Sequence, residues 1–533
     1  MKKRTCHFVN CSLYFLIVVL LSTACSPVPS SSPTATSESL PTAVKTQERW
    51  DAEKLEELET YIVQNIELAK IPGMSIAVVQ NGEVVYIKGF GVRALGESEP
   101  VTPDTLMMIA SSTKPLTTLM MATVVDDGLM NWDTPVTTIL PSFAVGDPNL
   151  TSKLEMQHLV CACSGLPSED SALFLSNLDT AEDLIRSMQD ISPVSEIGKK
   201  FNYSNQMVAA GGFIAAYGAG WKKGDLITGY ITAMQQRIFD PMGMSGTTFS
   251  IEQVQASDNY ALPHGLNLQN DYQPLEVSSE KFVSSILPAG GVWSTANDMS
   301  RLLLTLLNQG ISPDGRRIVS VENLFRTWEP QVEIEKGSVF YGLGWFIEDY
   351  HGMRLIHHGG NSMGFSAELA LLPSAGLGVA ILTNGEGAGD FVSAIRYRLF
   401  EITFGFPRQY DSIFKRNLEA RENGIANFAK SLLPDVDMQA ISPYLGQFTN
   451  EKLGEINIYM ENGRLMMMTG GLTSELRQMS APGKNIFVIY DVPWVVLGQW
   501  MIQFETDSQN NPRIVLREKE VTQPFLFVKT VEP

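Results

Sequence analysis

The chain has 533 residues, of which 44% are hydrophobic and 18% are charged, so it can form more than one hydrophobic core. Its formal net charge is −19, with 58 acidic and 39 basic side chains. Because so acidic a chain repels nucleic acids and anionic lipids, the charge argues against a nucleic-acid partner and against a purely electrostatic attachment to membranes.

The N-terminus has the pattern of a targeting signal. Basic residues at positions 2–4 precede an apolar run over residues 13–21, which is short for a membrane span. Residues 1–25 resemble a bacterial lipoprotein signal with Cys25 as the lipidated residue, and an ordinary cleaved signal peptide is the alternative. Residues 26–46 are rich in Ser, Thr and Pro, which suits a tether. We therefore expect secretion across the cytoplasmic membrane, with a lipid anchor on the bacterial cell envelope as the only membrane attachment.

The next residues predict a helix followed by a β-hairpin. Apolar side chains recur at helical spacing over residues 55–69. Two alternating runs, 74–79 and 83–88, then flank Asn81-Gly82, a dipeptide typical of tight hairpin turns. The chain thus begins helix, strand, strand.

An S-x-x-K motif from Ser111 to Lys114 stands at the start of a predicted helix that ends near Gly128. The lysine amine would share the face of the serine hydroxyl, and a desolvated lysine can accept or direct its proton. Unpaired N–H groups at the start of a helix can also stabilise an oxyanion. Further S-x-x-K matches begin at Ser278 and Ser412, in polar or charged stretches typical of solvated surface. Ser111 is therefore the candidate nucleophile.

A helix-rich middle segment leads to a series of strands. A helix is predicted from about Asp298, where Thr295 and Asp298 form a capping-box pattern. Strands are predicted at 342–347, 355–358, 365–372 and 379–383. A helical insertion between parts of one antiparallel sheet predicts an α/β (α+β) sandwich with a site where the two layers meet.

The pattern changes beyond residue 410. Residues 411–436 predict a charged amphipathic linker helix, and residues 437–533 predict a small all-β domain, either a barrel or a sandwich. The turn signals in this domain are Asn462-Gly463, Pro482-Gly483 and Asn510-Asn511-Pro512.

The cysteines that follow the predicted signal give little support for a disulfide or a metal site. Cys161 and Cys163 are one residue apart, a spacing that argues against a disulfide. The pair alone provides too few ligands for a metal site, so we expect buried loop residues and neither metal nor cofactor.

Several motifs in a fixed order resemble the serine hydrolases related to class C β-lactamases, D-Ala-D-Ala carboxypeptidases, D-aminopeptidases and certain esterases. The likeness covers about residues 50–400. Its motifs are Ile71-Pro-Gly-Met-Ser-Ile-Ala-Val-Val, Ile109-Ala-Ser-Ser-Thr-Lys, Tyr203-Ser-Asn, Gly290-Gly-Val-Trp-Ser-Thr and His358-Gly-Gly-Asn-Ser-Met-Gly-Phe. The resemblance implies a fold of the β-lactamase and penicillin-binding-protein type over residues 47–410, with a helical subdomain. The C-terminal β domain resembles the lipocalin-like appendage of such hydrolases.

The resemblance also implies roles for the motif residues. Ser111 would be the acylated nucleophile, Lys114 its helix partner, and Tyr203 the group that takes the serine proton. A tyrosine has an ordinary pKa of about 10, so a nearby ammonium is needed for it to act as a base at neutral pH.

The second and third motifs would contact the substrate. Asn205 would hydrogen-bond it, His358 and Gly360 match the motif on an edge strand, and the N–H of Asn361 would complete the oxyanion hole with that of Ser111. β-Lactamases usually carry Lys-Thr-Gly in the third motif, so here the hydroxyl is missing and the charge depends on pH. This departure favours an esterase or peptidase.

A competing nucleophile is excluded by its order in the chain. Residues 360–364 fit G-x-S-x-G, but every histidine precedes Ser362, whereas α/β-hydrolases place the catalytic histidine after the serine. A triad of Ser111 with His158 or His264 has no local sequence support, and His357 is interpreted as a packing or surface residue.

The sequence thus predicts an extracytoplasmic serine acyl hydrolase, an esterase or peptidase that acts through an acyl-enzyme on Ser111. Its substrate would be a small-molecule ester or amide, or a peptide. The alternatives are a D-aminoacyl peptidase or β-lactamase acting on cell-wall-like amides, and a non-catalytic envelope binding protein. The sequence leaves the oligomeric state open.

Overall fold

The computed structural model describes residues 50–169, 180–222, 224–469, 472–480, 485–490, 500–518 and 524–530. The predicted signal, Cys25, the tether and the Pro482-Gly483 turn lie outside these ranges. No helix within the described ranges is long and apolar enough to cross a membrane.

An eight-stranded antiparallel sheet forms the centre of the first domain. Its strands, in order across the sheet, are β2 (Glu83–Gly91), β1 (Gly73–Gln80), β12 (Leu377–Thr383), β11 (Ser366–Leu372), β10 (Met353–Asn361), β9 (Phe346–Tyr350), β8 (Val339–Tyr341) and β7 (Val332–Glu335). The predicted hairpin is confirmed, since β1 pairs with β2 and both turn residues, Asn81 and Gly82, have positive φ angles. The pairing of β1 with β12 brings the two ends of the domain together.

One predicted strand is wrong. Residues 342–347 do not form a single strand, because β8 ends at Tyr341 and β9 begins at Phe346. Between them, Gly344 has a φ of 79° and lies so close to the Ser111 helix that a Cβ would meet Thr118 Cγ2 at 2.9 Å. The other three predicted strands are confirmed as β10, β11 and β12.

Helices cover both faces of the sheet. The helices Ala52–Ala69, Gly389–Phe404 and Tyr410–Lys430 share one apolar core with the first face. The helix Ala296–Leu307 lies on the other face and joins a second core with the helical subdomain, which includes Thr113–Asp126 and Asn205–Gly218. Shorter helices are Val136–Ile139, Pro148–Thr151, Met156–Val160, Ala181–Ser187, Leu226–Met234, Asp240–Met242, Ile251–Ala256, Leu287–Gly290, Val321–Thr327 and Met438–Ile441.

Side-chain caps explain where two predicted helices begin. Asp51 accepts a hydrogen bond from the N–H of Lys54 and so starts the first helix. Thr295 accepts from the N–H of Asp298, which starts the helix two residues earlier than predicted. The Asp298 carboxylate accepts instead from Thr247 Oγ1 and the N–H of Gly246, so it anchors a neighbouring loop.

The C-terminal strands form a closed barrel, which confirms the predicted all-β domain. The strands are β13 (Gly446–Asn450), β14 (Gly454–Glu461), β15 (Arg464–Met468), β16 (Thr473–Gln478), β17 (Asn485–Ile489), β18 (Trp500–Thr506), β19 (Pro512–Glu518) and β20 (Phe525–Lys529). Each strand pairs with its sequence neighbour, and β13 pairs with β20 to close the barrel. Apolar side chains from all eight strands form its core. Two short sheets, β3 (Met107–Met108) with β6 (Trp293–Ser294) and β4 (His264–Leu266) with β5 (Tyr272–Pro274), lie in the first domain.

The expectation against a disulfide is wrong, because Cys161 and Cys163 are bonded to each other. Ala162 between them has a φ of 50°, a left-handed conformation that folds the chain back on itself. The two Cα atoms therefore lie only 5.1 Å apart, a distance that an extended chain could not give.

Candidate active site

Ser111 lies in a tight turn between a short strand and a long helix. Ala110–Ser112 forms one 3₁₀ turn, which continues directly into the helix Thr113–Asp126. A backbone hydrogen bond holds the start of the turn, since the N–H of Ile109 donates to the carbonyl of Val292 at 2.9 Å. Ala110 has a φ of 45°, which is rare for a residue with a side chain and often marks a functional constraint. Ser111 itself remains partly exposed.

Lys114 is fully buried beneath Ser111. Its Nζ donates to Ser111 Oγ at 2.9 Å, to Asn205 Oδ1 at 2.7 Å and to the carbonyl of Ala289 at 2.8 Å. An ammonium has three N–H donors, so these three acceptors compensate for the burial of its charge. The predicted pairing of the serine and lysine side chains is therefore present in the fold, whereas Lys281 and Lys415 of the other S-x-x-K matches are exposed.

Tyr203 covers the lysine from the side of the helical subdomain. Its ring lies 4.6 Å from Lys114 Nζ, a cation–π distance. It precedes the helix Asn205–Gly218, whose first turn is capped by Ser204. Asn205 is the first residue of that helix, and its Oδ1 accepts a hydrogen bond from the same Lys114 ammonium. The second predicted motif thus meets the first at the lysine.

The third motif reaches Ser111 along β10. Ser112 Oγ donates to the carbonyl of His358 at 2.9 Å, which ties the strand to the serine turn. At Gly360, a Cβ would lie 2.1 Å from the carbonyl oxygen of Ile109 and 3.1 Å from the N of Ser111, so only glycine fits. Asn361 follows at the exposed end of the strand, and its Oδ1 accepts from Ser366 Oγ at 2.8 Å.

His358 is buried and neutral, which corrects the expectation of a charge that depends on pH near neutrality. Its Nδ1 lies 2.6 Å from the carbonyl of Gly359 and its Nε2 lies 3.0 Å from Tyr341 Oη. Burial, together with the positive charge of Lys114, lowers the pKa of His358 well below its ordinary value. Because a carbonyl only accepts, Nδ1 carries the proton and Nε2 accepts from the tyrosine.

Sequence reasoning missed an aromatic group beside Tyr203 and His358. The ring of Tyr341 lies 4.9 Å from that of Phe346 and 5.7 Å from that of Phe201, centroid to centroid. Tyr203 meets Tyr341 edge-on at 6.2 Å. Phe201 and Phe346 are partly exposed, so they give this side of the site an apolar surface. These aromatics come from segments far apart in the sequence, and no local pattern identifies them.

His357 is neither a simple packing residue nor a surface residue. It belongs to a buried charge cluster on the opposite side of β10, where its Nε2 lies 3.0 Å from Glu348 Oε1 and its Nδ1 lies 3.1 Å from Glu368 Oε1. Glu368 also pairs with Arg396 of the helix Gly389–Phe404. Burial and Arg396 oppose a charge on the imidazole, but the two carboxylates outweigh them and raise the pKa of His357.

The remaining candidates are engaged elsewhere. His264 Nε2 accepts from the N–H of Leu95, and His158 Nδ1 accepts from the N–H of Glu155. Ser362 Oγ donates to Glu280, so the serine of the competing motif is part of a buried contact. Across the residues whose placement is described, no cluster of three or more His, Cys, Asp or Glu side chains could hold a metal ion.

Comparisons with known proteins agree with this arrangement. The sequence profile of the Beta-lactamase family matches residues 58–403, which is more than half of the chain. The unguisins hydrolase ungD' of Aspergillus campestris is 26% identical over 415 residues, covering 73% of this chain and 74% of that protein. Penicillin-binding protein 4 of Amycolatopsis lactamdurans is 26% identical over 357 residues, covering 65% of this chain and 86% of that protein.

The fold has a solved counterpart as well. The octameric penicillin-binding protein homologue from Pyrococcus abyssi matches 89% of this chain and 99% of its own, with a TM-score of 0.59 and 21% identity. Its likeness concerns the fold alone. Taken with the profile match and the hydrolase relatives, the Ser111–Lys114 pair identifies the chain as a member of the beta-lactamase family of serine hydrolases.

Proposed function

We propose that this serine hydrolase cleaves neutral esters and peptide-like amides through an acyl-enzyme on Ser111. The observation that carries the proposal is the hydrogen bond of 2.9 Å between Lys114 Nζ and Ser111 Oγ, at the base of a partly open site. Two further groups converge on the same ammonium, Tyr203 and Asn205, so one buried cation orders all three polar side chains.

Acylation follows from these positions. The Ser111 hydroxyl gives up its proton as Oγ attacks the substrate carbonyl carbon, and Tyr203, acting as a phenolate, receives that proton on its oxygen. The Lys114 ammonium, which stays charged, stabilises the negative charge that passes between the two oxygens. The N–H groups of Ser111 and Asn361 donate to the oxyanion. Collapse of the tetrahedral intermediate breaks the ester or amide bond, and the leaving group takes the proton.

Deacylation uses the same groups in reverse. Water loses a proton to the phenolate oxygen of Tyr203 and attacks the acyl carbon, and the proton returns to Ser111 Oγ when the acid leaves. Asn205, whose Oδ1 accepts from Lys114 Nζ, would orient the carbonyl or amide group of the substrate through its side chain.

The third motif favours a neutral substrate over a β-lactam carboxylate. His358 has both ring nitrogens bonded within the protein and its pKa is lowered well below neutrality, so it provides no cation. The aromatic group of Phe201, Tyr341 and Phe346 adds apolar surface. The relative named as an unguisins hydrolase supports a hydrolytic activity for this site.

We also propose that the protein acts outside the cytoplasm, held by a lipid on Cys25. The support is the sequence pattern of residues 1–25 followed by the Ser/Thr/Pro-rich segment 26–46. Expression in a bacterial host with radiolabelled palmitate should label the wild-type chain and leave the Cys25→Ser variant unlabelled. Equal labelling of both chains would refute the anchor.

The function is tested by the initial rate of hydrolysis of a short-chain nitrophenyl ester. Wild-type protein should hydrolyse the ester, and the rate of Ser111→Ala should fall to that of buffer alone. Ser278→Ala should hydrolyse the ester at the wild-type rate, because Ser278 belongs to another S-x-x-K match and is exposed. Turnover that survives in Ser111→Ala would refute the assignment. Cephalosporin hydrolysis as fast as ester hydrolysis would refute the preference for neutral substrates.

A further inference from the structure

A buried carboxylate holds the turn that follows β10. Glu280 is 0% exposed, and its Oε1 accepts from Ser362 Oγ at 3.0 Å and from the N–H of Gly364 at 2.9 Å. Ser362 Oγ also accepts from the N–H of Phe365, which closes the turn. This turn begins directly after Asn361, the residue whose N–H would complete the oxyanion hole.

The segment that carries Glu280 also contacts the lysine. The 3₁₀ segment Val277–Ile286 runs straight into the short helix Leu287–Gly290. The carbonyl of Ala289 in that helix accepts from Lys114 Nζ at 2.8 Å. One stretch of chain therefore contacts both the ammonium under Ser111, through a backbone carbonyl, and the turn after β10, through the Glu280 side chain.

The barrel packs on the same turn from the other side. The Met363 side chain, 6% exposed, belongs to the apolar cluster of the barrel core. Phe282 packs against both that cluster and the core of the hydrolase domain. A second contact supports the docking, since Lys452 in the β13–β14 connection pairs with Glu169 at 2.5 Å.

We propose that Glu280 is a positioning residue for acyl transfer, which holds the turn after β10, and with it the N–H of Asn361, in place for the oxyanion. Met363 secures the same turn against the barrel, so the barrel is a structural support of the catalytic site. The inference rests on the proposed function, because it requires that Ser111 forms an acyl-enzyme.

The expected magnitude follows from what the carboxylate does. Replacing Glu280 by alanine leaves a buried hydroxyl and a buried N–H without their shared acceptor, and the turn shifts to find other partners. A misplacement of about 1 Å costs about 100-fold in rate, as does the loss of one oxyanion donor. Glutamine keeps a carbonyl oxygen that can accept both hydrogen bonds, so it should preserve the geometry.

The test compares kcat and KM for a short-chain nitrophenyl ester. In Glu280→Ala, kcat should fall about 10-fold to 100-fold while KM changes less than about 2-fold, since the oxyanion forms only in the transition state. Glu280→Gln should recover most of kcat. The control is Glu276→Ala, an exposed carboxylate at the start of the same 3₁₀ segment, which should match wild type.

A second variant keeps the test decisive if Glu280→Ala fails to fold. Met363→Ala loosens the turn from the barrel side and should lower kcat with KM unchanged. The proposal is overturned if folded Glu280→Ala keeps its kcat, if Glu280→Gln is as impaired as Glu280→Ala, or if Met363→Ala matches wild type. Wild type without Ser111-dependent turnover refutes both this inference and the proposed function, whereas Ser111-dependent turnover with unaffected variants refutes the inference alone.

Discussion

Replacement of Gly360 by alanine should disable the site far more than the same replacement at Gly359. At Gly360 the new methyl would lie 2.1 Å from the carbonyl oxygen of Ile109 and 3.1 Å from the N of Ser111, both backbone atoms that no rotamer change can move. An ordinary van der Waals contact begins at 3.4 Å, so β10 and the serine turn must separate by more than 1 Å. A shift of that size costs about 100-fold in rate, and overpacking lowers the free energy of unfolding by about 1–3 kcal/mol.

Gly359 supplies the matched control, since it is the neighbouring residue of the same motif. A methyl there would meet Glu368 Oε2 at 3.4 Å and the carbonyl of Ala367 at 3.7 Å, which are tolerable contacts. The assay is nitrophenyl ester hydrolysis with a urea unfolding curve for each variant. Gly359→Ala should keep its rate within about 3-fold. Equal rates in the two variants would refute the argument that the close approach of β10 to Ser111 sets the geometry of the site.

Three other changes test individual contacts. Ser112→Ala removes the hydrogen bond to the carbonyl of His358 and should lower the free energy of unfolding by about 1–3 kcal/mol in urea titration; an unchanged midpoint would contradict this. Burial raises the pKa of Glu280 from 4.5 to about 7, so this carboxyl favours the folded state least at high pH, and stability is lost as the pH rises from about 4.5 to about 7. Glu280→Gln should thus gain up to about 3 kcal/mol over wild type between pH 5 and pH 8, and a difference independent of pH would refute the burial argument. Replacement of Cys161 and Cys163 by serine should lower the free energy of unfolding by only about 1–2 kcal/mol, because the disulfide closes a very short loop; a loss above about 4 kcal/mol would contradict that account.

The parts of the fold that follow local patterns could be predicted from the sequence. Asn81-Gly82 fixes a hairpin because both residues tolerate positive φ angles, and alternating apolar runs of adequate length became β10 to β12. The S-x-x-K spacing predicts its own contact, since residues three apart share one face of a helix. The order of the motifs then linked Ser111, Lys114 and Tyr203.

Two of the features that were missed depend on contacts between distant segments, and a third depends on an unusual backbone conformation. Glu280 lies in a polar stretch that was interpreted as solvated surface, yet the turn after β10 buries it completely. The strand predicted at 342–347 is broken where Gly344 approaches the Ser111 helix, a tertiary contact invisible in the local pattern. The cysteine pair was judged by its one-residue spacing, whereas Ala162 adopts a left-handed conformation that brings the two cysteines together. For Glu280 and Gly344 a neighbour remote in sequence decides the outcome, and for the cysteines the conformation of the residue between them decides it.

The most direct test of the account is to trap the acyl-enzyme and locate it. The protein would be mixed with a slowly deacylating nitrophenyl ester, quenched in acid, digested and analysed by mass spectrometry. The account predicts an acyl mass on the peptide that contains Ser111, absent from the Ser111→Ala variant. An acyl group found on another residue, or ester turnover with no covalent intermediate under burst conditions, would contradict it.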